Sequence, residues 1–138
     1  MDVRRVGAFA ADPRSPREAR HAIEELLGPA LDDETRAAVL LAVSELATNA
    51  VLHARTTFEV RLGFGADCVR IEVADGDPTI PEPGSPDLLD VSGRGLLLVA
   101  GIAERWGVEP RPRGKTVWFE RRVARTRTLV GSGRRWGG

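Results

Sequence analysis

The segment Ser44-Glu45-Leu46-Ala47-Thr48-Asn49-Ala50-Val51-Leu52-His53 decides how this chain is interpreted. Its apolar residues recur at intervals of three and four, the spacing that places side chains on one face of an α-helix. Glu45 and Asn49 are four residues apart, so a carboxylate and an amide lie one turn apart on that helix. Oxygens of both kinds are ligands that Mg²⁺ accepts. The segment therefore predicts a helix with a polar edge suited to a metal ion.

This helix is expected to begin at an N-cap formed by Asp32 or Asp33 and to run to about His53. Apolar residues cover more than one of its faces, so the pattern predicts burial on two sides. Glu45 and Asn49 fall between the two apolar sectors. A carboxylate there would be partly desolvated, which costs stability unless a cation or a hydrogen bond compensates.

The flanking segments complete the predicted architecture. A first strand is predicted over residues 3–10, and a helix over 16–27 with Ser15 as its N-cap. Alternating apolar residues then predict strands at 56–64 and 68–74, a short apolar helix at 95–103, and a closing hairpin from 105–109 and 115–122. Helices followed by antiparallel strands predict an α+β, two-layer sandwich in which helices cover one face of a mainly antiparallel mixed sheet.

Two glycine-containing segments flank a long irregular stretch. Asp75-Gly76-Asp77 ends an apolar strand, and Gly93-Arg94-Gly95 directly precedes the short apolar helix. The N–H groups and dipole of a helix N-terminus attract phosphate oxygens, and Arg94 adds a charge-assisted contact. The alternative is purely structural: Asp75 as an ordinary turn aspartate, and the glycines as a loop end and a tight helix start.

Taken in order, these three motifs resemble the N box, G1 box and G2 box of the GHKL ATPase/kinase superfamily, which includes histidine kinases, gyrase, Hsp90 and MutL. Within it, the chain is most similar to the stand-alone anti-sigma-factor serine kinases of bacteria. The resemblance runs from about Val6 to Arg122. It implies a histidine-kinase-like ATP-binding domain of the Bergerat type at 1–122. Residues 123–138 are basic and lack acidic residues, a composition that predicts a disordered tail.

The resemblance also implies roles for individual residues. Asn49 matches the metal-binding residue of the N box, Glu45 its general base, and Asp75 the carboxylate that accepts from the adenine amino group. The family pattern is Asp-x-Gly, whereas here Gly76 follows Asp75 directly, so the carry-over is stronger for Asp75 than for Gly76. The other nucleotide contacts that it implies are Gly76, Gly93, Arg94, Gly95, Leu96 and Thr116.

The function that these motifs predict is a Mg·ATP-dependent serine/threonine protein kinase of the anti-sigma-factor type. Such a protein phosphorylates an antagonist protein and binds a sigma factor or a similar regulator, and the resemblance leaves room for a homodimer. Two alternatives stay open: a nucleotide-dependent module that sequesters a partner without phosphotransfer, and an interaction protein with a degenerate pocket.

Composition limits the other function classes. The chain has 138 residues, 14.9 kDa and one cysteine, which suits a single domain without an internal disulfide in a reducing compartment. Its 20 basic and 20 acidic residues give no net charge, so nothing draws it as a whole to nucleic acid or anionic lipid. No apolar run is expected to approach the roughly 20 residues that span a bilayer. We therefore expect a cytoplasmic protein.

A second phosphate-binding motif is excluded on spacing. Gly114-Lys115-Thr116 looks like the end of a P-loop, but that loop requires a glycine where this chain has Glu109. The residues that follow are strand-like rather than helical, so Thr116 belongs to the closing hairpin.

Overall fold

The computed structural model describes residues 1–79 and 95–123, apart from the side chains of Ala30 and of residues 95–97. Two predicted site residues, Gly93 and Arg94, lie outside this part of the chain, as does the predicted tail from residue 124 onward. The elements in chain order are β1 (Asp2–Phe9), α1 (Ser15–Leu27), α2 (Asp33–Asn49), β2 (Phe58–Phe64), β3 (Cys68–Asp75), α3 (Gly95–Ile102), β4 (Arg105–Arg111) and β5 (Gly114–Arg122).

The strands form one sheet in the order β1-β2-β3-β5-β4. Each of the four neighbouring pairs within the described residues is antiparallel. All three helices pack with α2 in the centre, between α1 and α3, and the core lies between them and one face of the sheet. The predicted α+β two-layer sandwich is confirmed. The core includes Ile23, Val39, Val43, Phe58, Val60, Ile71, Val73 and Phe119.

The start of α1 differs from the prediction by one residue. Ser15 was the expected N-cap, but it is the first helical residue, and Arg14 holds the cap position without a side-chain hydrogen bond. The reason is Asp12, whose carboxylate accepts the Arg14 N–H at 2.8 Å and whose carbonyl accepts the Ser15 N–H at 2.9 Å. This turn brings Ser15 into the helix as its first residue, so Ser15 does not hold the cap position.

The central helix α2 begins as predicted. Asp32 is its N-cap, and its carboxylate accepts the Thr35 N–H at 2.6 Å. The α-helical hydrogen bonding ends at Asn49, and the chain continues as a π turn over Ala50–Ala54. Arg55 closes this turn in the left-handed conformation, with φ 57. Single π turns are frequent at functional sites, and this one directly follows Asn49.

Burial of α2 is narrower than predicted. Its buried side chains form one stripe at helical spacing, whereas Leu41 is 45% exposed. The expectation that a second apolar sector would be buried is therefore wrong within the described residues. In a two-layer sandwich the outer side of the helix layer has no third layer to cover it. The stripe consists of Thr35, Val39, Ala42, Val43, Leu46 and Ala47.

The same helix corrects the prediction that no segment approaches membrane-spanning length. With its π turn it extends over Asp33–Ala54, which is 22 residues at a hydropathy of 1.5. By length and composition alone this is enough to cross a bilayer. In the structure, its apolar stripe is part of the domain core, and 33% of the window is buried.

Candidate functional site

The polar end of α2 and the end of β3 meet at one edge of the sandwich. Only Arg55, Thr56 and Thr57 separate the π turn from β2, and the first residue of β2, Phe58, pairs with Asp75. Thr56 was expected to start the strand. Instead its hydroxyl accepts the Gly76 N–H at 2.8 Å, which ties this connection to the turn after β3. The chain therefore brings two of the three predicted motifs to one edge.

Glu45 and Asn49 lie on the last turns of α2. Both side chains are half-buried, and they flank residues of the buried stripe such as Leu46 and Ala50. Helix α3 packs against α2 and begins at Gly95, followed by Leu96, with the predicted phosphate-binding glycine at its N-terminus. The structure thus supplies a carboxylate and an amide at helical spacing, beside a second helix.

Asp75 is nearly buried on the face of the sheet that the helices cover. It lies two residues beyond the core residue Val73 on β3, so the two side chains share a face. Only 6% of the Asp75 side chain is exposed. Its Oδ1 atom accepts the Asp77 N–H at 2.9 Å and the Lys115 ammonium at 3.2 Å.

The second oxygen of Asp75, Oδ2, has no hydrogen-bond donor among residues 1–79 and 95–123. In that part of the chain, the fully buried side-chain N and O atoms all have a partner except Nε of Arg121. Oδ2 is not among the fully buried atoms that lack a partner. A carboxylate oxygen in this position can accept a hydrogen bond from a ligand.

Lys115 is the member of this cluster that the sequence analysis missed. Besides Asp75, its ammonium group donates to the carbonyl of Asp77 at 3.0 Å, and its side chain is only 10% exposed. It was considered only as part of a failed P-loop motif. A signal was available, because Lys115 is the sole lysine in a chain whose 20 basic residues are otherwise arginine.

Gly114 fixes the start of β5 against the end of β3. A Cβ atom on this residue would lie 1.9 Å from the Asp75 carbonyl oxygen, and its φ of 150 is one that side-chain-bearing residues rarely adopt. Gly76 is less restricted, because a Cβ there would approach the Thr56 side chain at 3.3 Å. The close approach of two backbones at Gly114 places Lys115 directly opposite Asp75.

Thr116 faces away from this cluster. It pairs with Ala74 on β3, one residue from the Asp75–Lys115 pair, so its side chain is on the opposite face of the sheet. Its hydroxyl accepts a hydrogen bond from Arg111 Nε at 2.9 Å, and only 1% of the residue is exposed. The structure does not bring the Thr116 hydroxyl to Asp75, and a contact of Thr116 with the nucleotide stays a prediction.

The turn after Asp75 holds a second carboxylate. The Thr79 N–H donates to Asp77 Oδ1 at 2.9 Å, and this bond is the main reason that the pKa of Asp77 is lowered. The nearby positive charge of Lys115 lowers it further. Near neutral pH the turn thus carries a negative charge on Asp77 beside the Lys115 ammonium group.

The opposite face of the sheet carries a separate network of charged residues. Glu120 accepts from Arg70 at 2.7 Å and also pairs with Arg105. Arg70 in turn donates to Glu72 at 2.7 Å, and its guanidinium carbon lies 4.2 Å from the centroid of the Trp118 ring. Burial is the largest influence on Glu120 and raises its pKa, but the hydrogen bonds from Arg70 and Arg105 together outweigh it and lower the pKa.

A groove of about 500 Å³ lies elsewhere, between α1 and α2. Its walls are mostly apolar, and its charged members, Arg17 and Arg20, form no ion pair with a carboxylate of the described residues. None of the site residues lines it, so it is not the site built around Asp75. The lining residues are Pro13, Pro16, Arg17, Arg20, Ser44, Thr48, Val51 and Leu52.

Comparison with known proteins identifies the family of this chain. Residues 9–121 match the family model described as the histidine kinase-like ATPase domain. The match covers both α2 and the Asp75 turn. The chain belongs to this family, and with it to the GHKL superfamily of ATPases and kinases.

Two solved structures share the fold of this chain. The fold matches a Mycobacterium tuberculosis structure of RsbU and RsbW domains at a TM-score of 0.69 and 20% identity, over 95% of this chain and 35% of the other. It also matches the histidine kinase domain of a blue-light-activated kinase from Erythrobacter litoralis at a TM-score of 0.53 and 23% identity, over 86% and 66% of the two chains. At these sequence identities, the similarity to the two structures shows a shared fold and no more.

One curated sequence relative was found with higher identity. It is an uncharacterized protein of Streptomyces coelicolor, 50% identical over 53 residues, which are 37% of this chain. The matched segment spans half of that relative's length.

Proposed function

We propose that this protein is a Mg·ATP-dependent serine/threonine protein kinase of the anti-sigma-factor type, working in the cytoplasm. It would transfer the γ-phosphoryl group of ATP to an antagonist protein and bind a sigma factor or a similar regulator. Membership of the histidine kinase-like ATPase family supports the coarser part of this proposal, an ATPase or kinase domain that binds ATP. The finer part rests on the residues at the edge of the sandwich.

The observation that carries the proposal is the environment of Asp75. A carboxylate that is 6% exposed, held through Oδ1 and without a described donor on Oδ2, lies at the same edge as the half-buried Glu45 and Asn49. A carboxylate oxygen with little access to water gains from a ligand that donates to it, so this environment favours such a ligand. The amino group of adenine is such a donor.

Each residue then has a chemical role. The amide oxygen of Asn49 suits Mg²⁺, which takes few ligands from protein and the rest from phosphates and water. Glu45, one turn earlier, would accept the proton of the attacking hydroxyl. Bound Mg²⁺ would neutralise charge that develops on the transferred phosphoryl group. The N-terminus of α3 at Gly95 would face the phosphates.

The partner is a protein in this proposal, and the groove between α1 and α2 supports that part. Its walls are apolar, and Arg17 and Arg20 have no carboxylate partner among residues 1–79 and 95–123, so the groove suits a segment that carries both apolar and acidic residues. Thr48 of this groove and Asn49 of the site are neighbours on α2, so the two surfaces share one helix.

Calorimetric titration with ATP, with and without Mg²⁺, tests the pocket. We expect wild type to bind Mg·ATP and Asp75→Asn to weaken binding at least about tenfold, because one strong acceptor is lost. Asn49→Ala should remove the Mg²⁺ dependence. Asp67→Asn is the matched control, because Asp67 is 71% exposed and lies at the far end of β3. This variant should bind Mg·ATP with the affinity of wild type.

A phosphotransfer assay separates the kinase from the two alternatives. With γ-labelled ATP and a candidate antagonist, Glu45→Gln should bind ATP like wild type and lose transfer by about a hundredfold or more. Stable complexes with intact ATP would support the sequestering module instead. A folded wild type that gives no heat with ATP would leave only an interaction protein with a degenerate pocket.

A further inference from the structure

We infer that Lys115 is a positioning residue that determines which nucleotide base the site accepts. This inference rests on the proposed function, because it concerns the same pocket. In it, Lys115 holds Asp75 through Oδ1 and leaves Oδ2 as the single acceptor for the base. The base that fits is one with an exocyclic amino group, and a base with a carbonyl at that place does not fit.

The geometry assigns the two oxygens of Asp75 to different tasks. Oδ1 accepts from both the Lys115 ammonium, at 3.2 Å, and the Asp77 N–H, at 2.9 Å. Because an ionised carboxylate oxygen has two lone-pair sites, these two donors fill Oδ1. Oδ2 has no donor in the described part of the chain, so among these residues it is the oxygen left to accept from a base.

Lys115 is also anchored on its own side. Its ammonium group donates to the Asp77 carbonyl at 3.0 Å, and its backbone is set by Gly114, whose Cα hydrogens lie against the Asp75 carbonyl. The side chain is 10% exposed, so it cannot move freely into solvent. A lysine held at both its ends fixes the carboxylate that it contacts, whereas a lone turn aspartate would rotate.

A single oriented acceptor discriminates between purines. An amino group at purine position 6 donates to Oδ2, whereas a carbonyl oxygen at the same position repels it and leaves it unpaired. Sites built to pair a substrate donor reject the analogue that lacks it strongly, because the buried partner is then left unsatisfied. Base selectivity, and not nucleotide affinity in general, is therefore the property that depends on Lys115.

The test compares ATP with inosine triphosphate, which differs from ATP by a carbonyl in place of the amino group. Binding of each Mg²⁺ complex is measured by calorimetry for wild type, Lys115→Met and Lys115→Arg. Wild type should prefer ATP by about a hundredfold or more. Lys115→Met should weaken ATP binding about tenfold and leave inosine triphosphate unchanged, so that the ratio falls. Lys115→Arg, which keeps a donor to Oδ1, should restore most of the ratio.

Other outcomes overturn the inference. Equal weakening of both nucleotides by Lys115→Met, with the ratio kept, would mean that Lys115 only supports the fold. Tighter ATP binding in that variant would mean that the lysine competes with the base for Asp75. If Lys115→Met does not fold, Asp77→Pro takes its place, because it lacks the second donor to Oδ1. An unchanged ratio in Asp77→Pro would then overturn the inference. Wild type that binds neither nucleotide overturns the proposed function itself, which distinguishes the two failures.

Discussion

The two faces of the sheet both carry buried charges, but they use them differently. On the outer face, both oxygens of Glu120 are paired, and Arg70 bridges Glu120 and Glu72 while stacking on Trp118. On the helix-covered face, Asp75 pairs with Lys115 through one oxygen only. The outer network is complete without a ligand, and the inner pair is not. Among the described residues, unused hydrogen-bonding capacity, and not charge itself, distinguishes the face on which we propose the nucleotide site.

The largest expected effect comes from the close contact that places the inner pair. Gly114→Ala would put a Cβ atom 1.9 Å from the Asp75 carbonyl oxygen, so β3 and β5 would have to separate. We expect a loss of about 4 kcal/mol in the free energy of unfolding, measured by urea denaturation.

Gly101→Ala is the matched control for this change. A Cβ at Gly101, within α3, has no neighbour within 4 Å, so this variant should gain about 0.5–1 kcal/mol. A loss below about 1 kcal/mol for Gly114→Ala would show that the two strands adjust to a side chain there.

The outer network should affect stability and leave nucleotide binding alone. Glu120→Ala removes the shared partner of Arg70 and Arg105, and because Arg70 is only 17% exposed, its charge loses a buried partner. We expect a loss of about 2 kcal/mol in the free energy of unfolding and an ATP affinity equal to that of wild type. Glu72→Ala, which removes one arginine contact instead of two, should lose about half as much. A changed ATP affinity in Glu120→Ala would contradict the separation of the two faces.

Lowering the pH should reduce the contribution of Glu120 to the free energy of unfolding. The pKa of Glu120 is held below its ordinary value of 4.5, so the folded state favours the ionised form more than the unfolded state does. Its contribution is therefore fully present above pH 4.5 and is lost as the pH falls through the lower, folded-state pKa. Unfolding of wild type and Glu120→Gln is compared between about pH 7 and pH 3. The stability difference between them should shrink towards the acid end, and a constant difference would contradict this assignment.

The sequence predicted the elements because their signals are local. Alternation along β3 and the Asp32 cap of α2 gave bounds close to those observed, since each depends on residues near in the chain. The prediction of Ser15 as N-cap was wrong because a turn formed by Asp12, three residues earlier, begins the helix one residue sooner. Two-sided burial of α2 was wrong because apolar pattern alone does not reveal how many layers a fold has.

Part of the site could also be predicted because its sequence signals are local. Glu45, Asn49 and Asp75 stand in motifs that can be read from adjacent residues, although their place beside a nucleotide remains a prediction. Lys115 and Thr116 could not be assigned to faces, because residues 114–117 are all buried and show no alternation. Only the register with β3, a pairing across some forty residues of chain, places Lys115 opposite Asp75 and turns Thr116 away.

The close packing at Gly114 has a consequence for how this chain can evolve. Because neighbouring strand residues face opposite sides, a single insertion or deletion in the turn before β5 would exchange the places of Lys115 and Thr116. Such a slip would also put a residue with a Cβ against the Asp75 carbonyl, where there is no room for it. Gly114 thus fixes the register of β5 against β3. We expect variants of altered turn length to lose the fold before they acquire a different base preference.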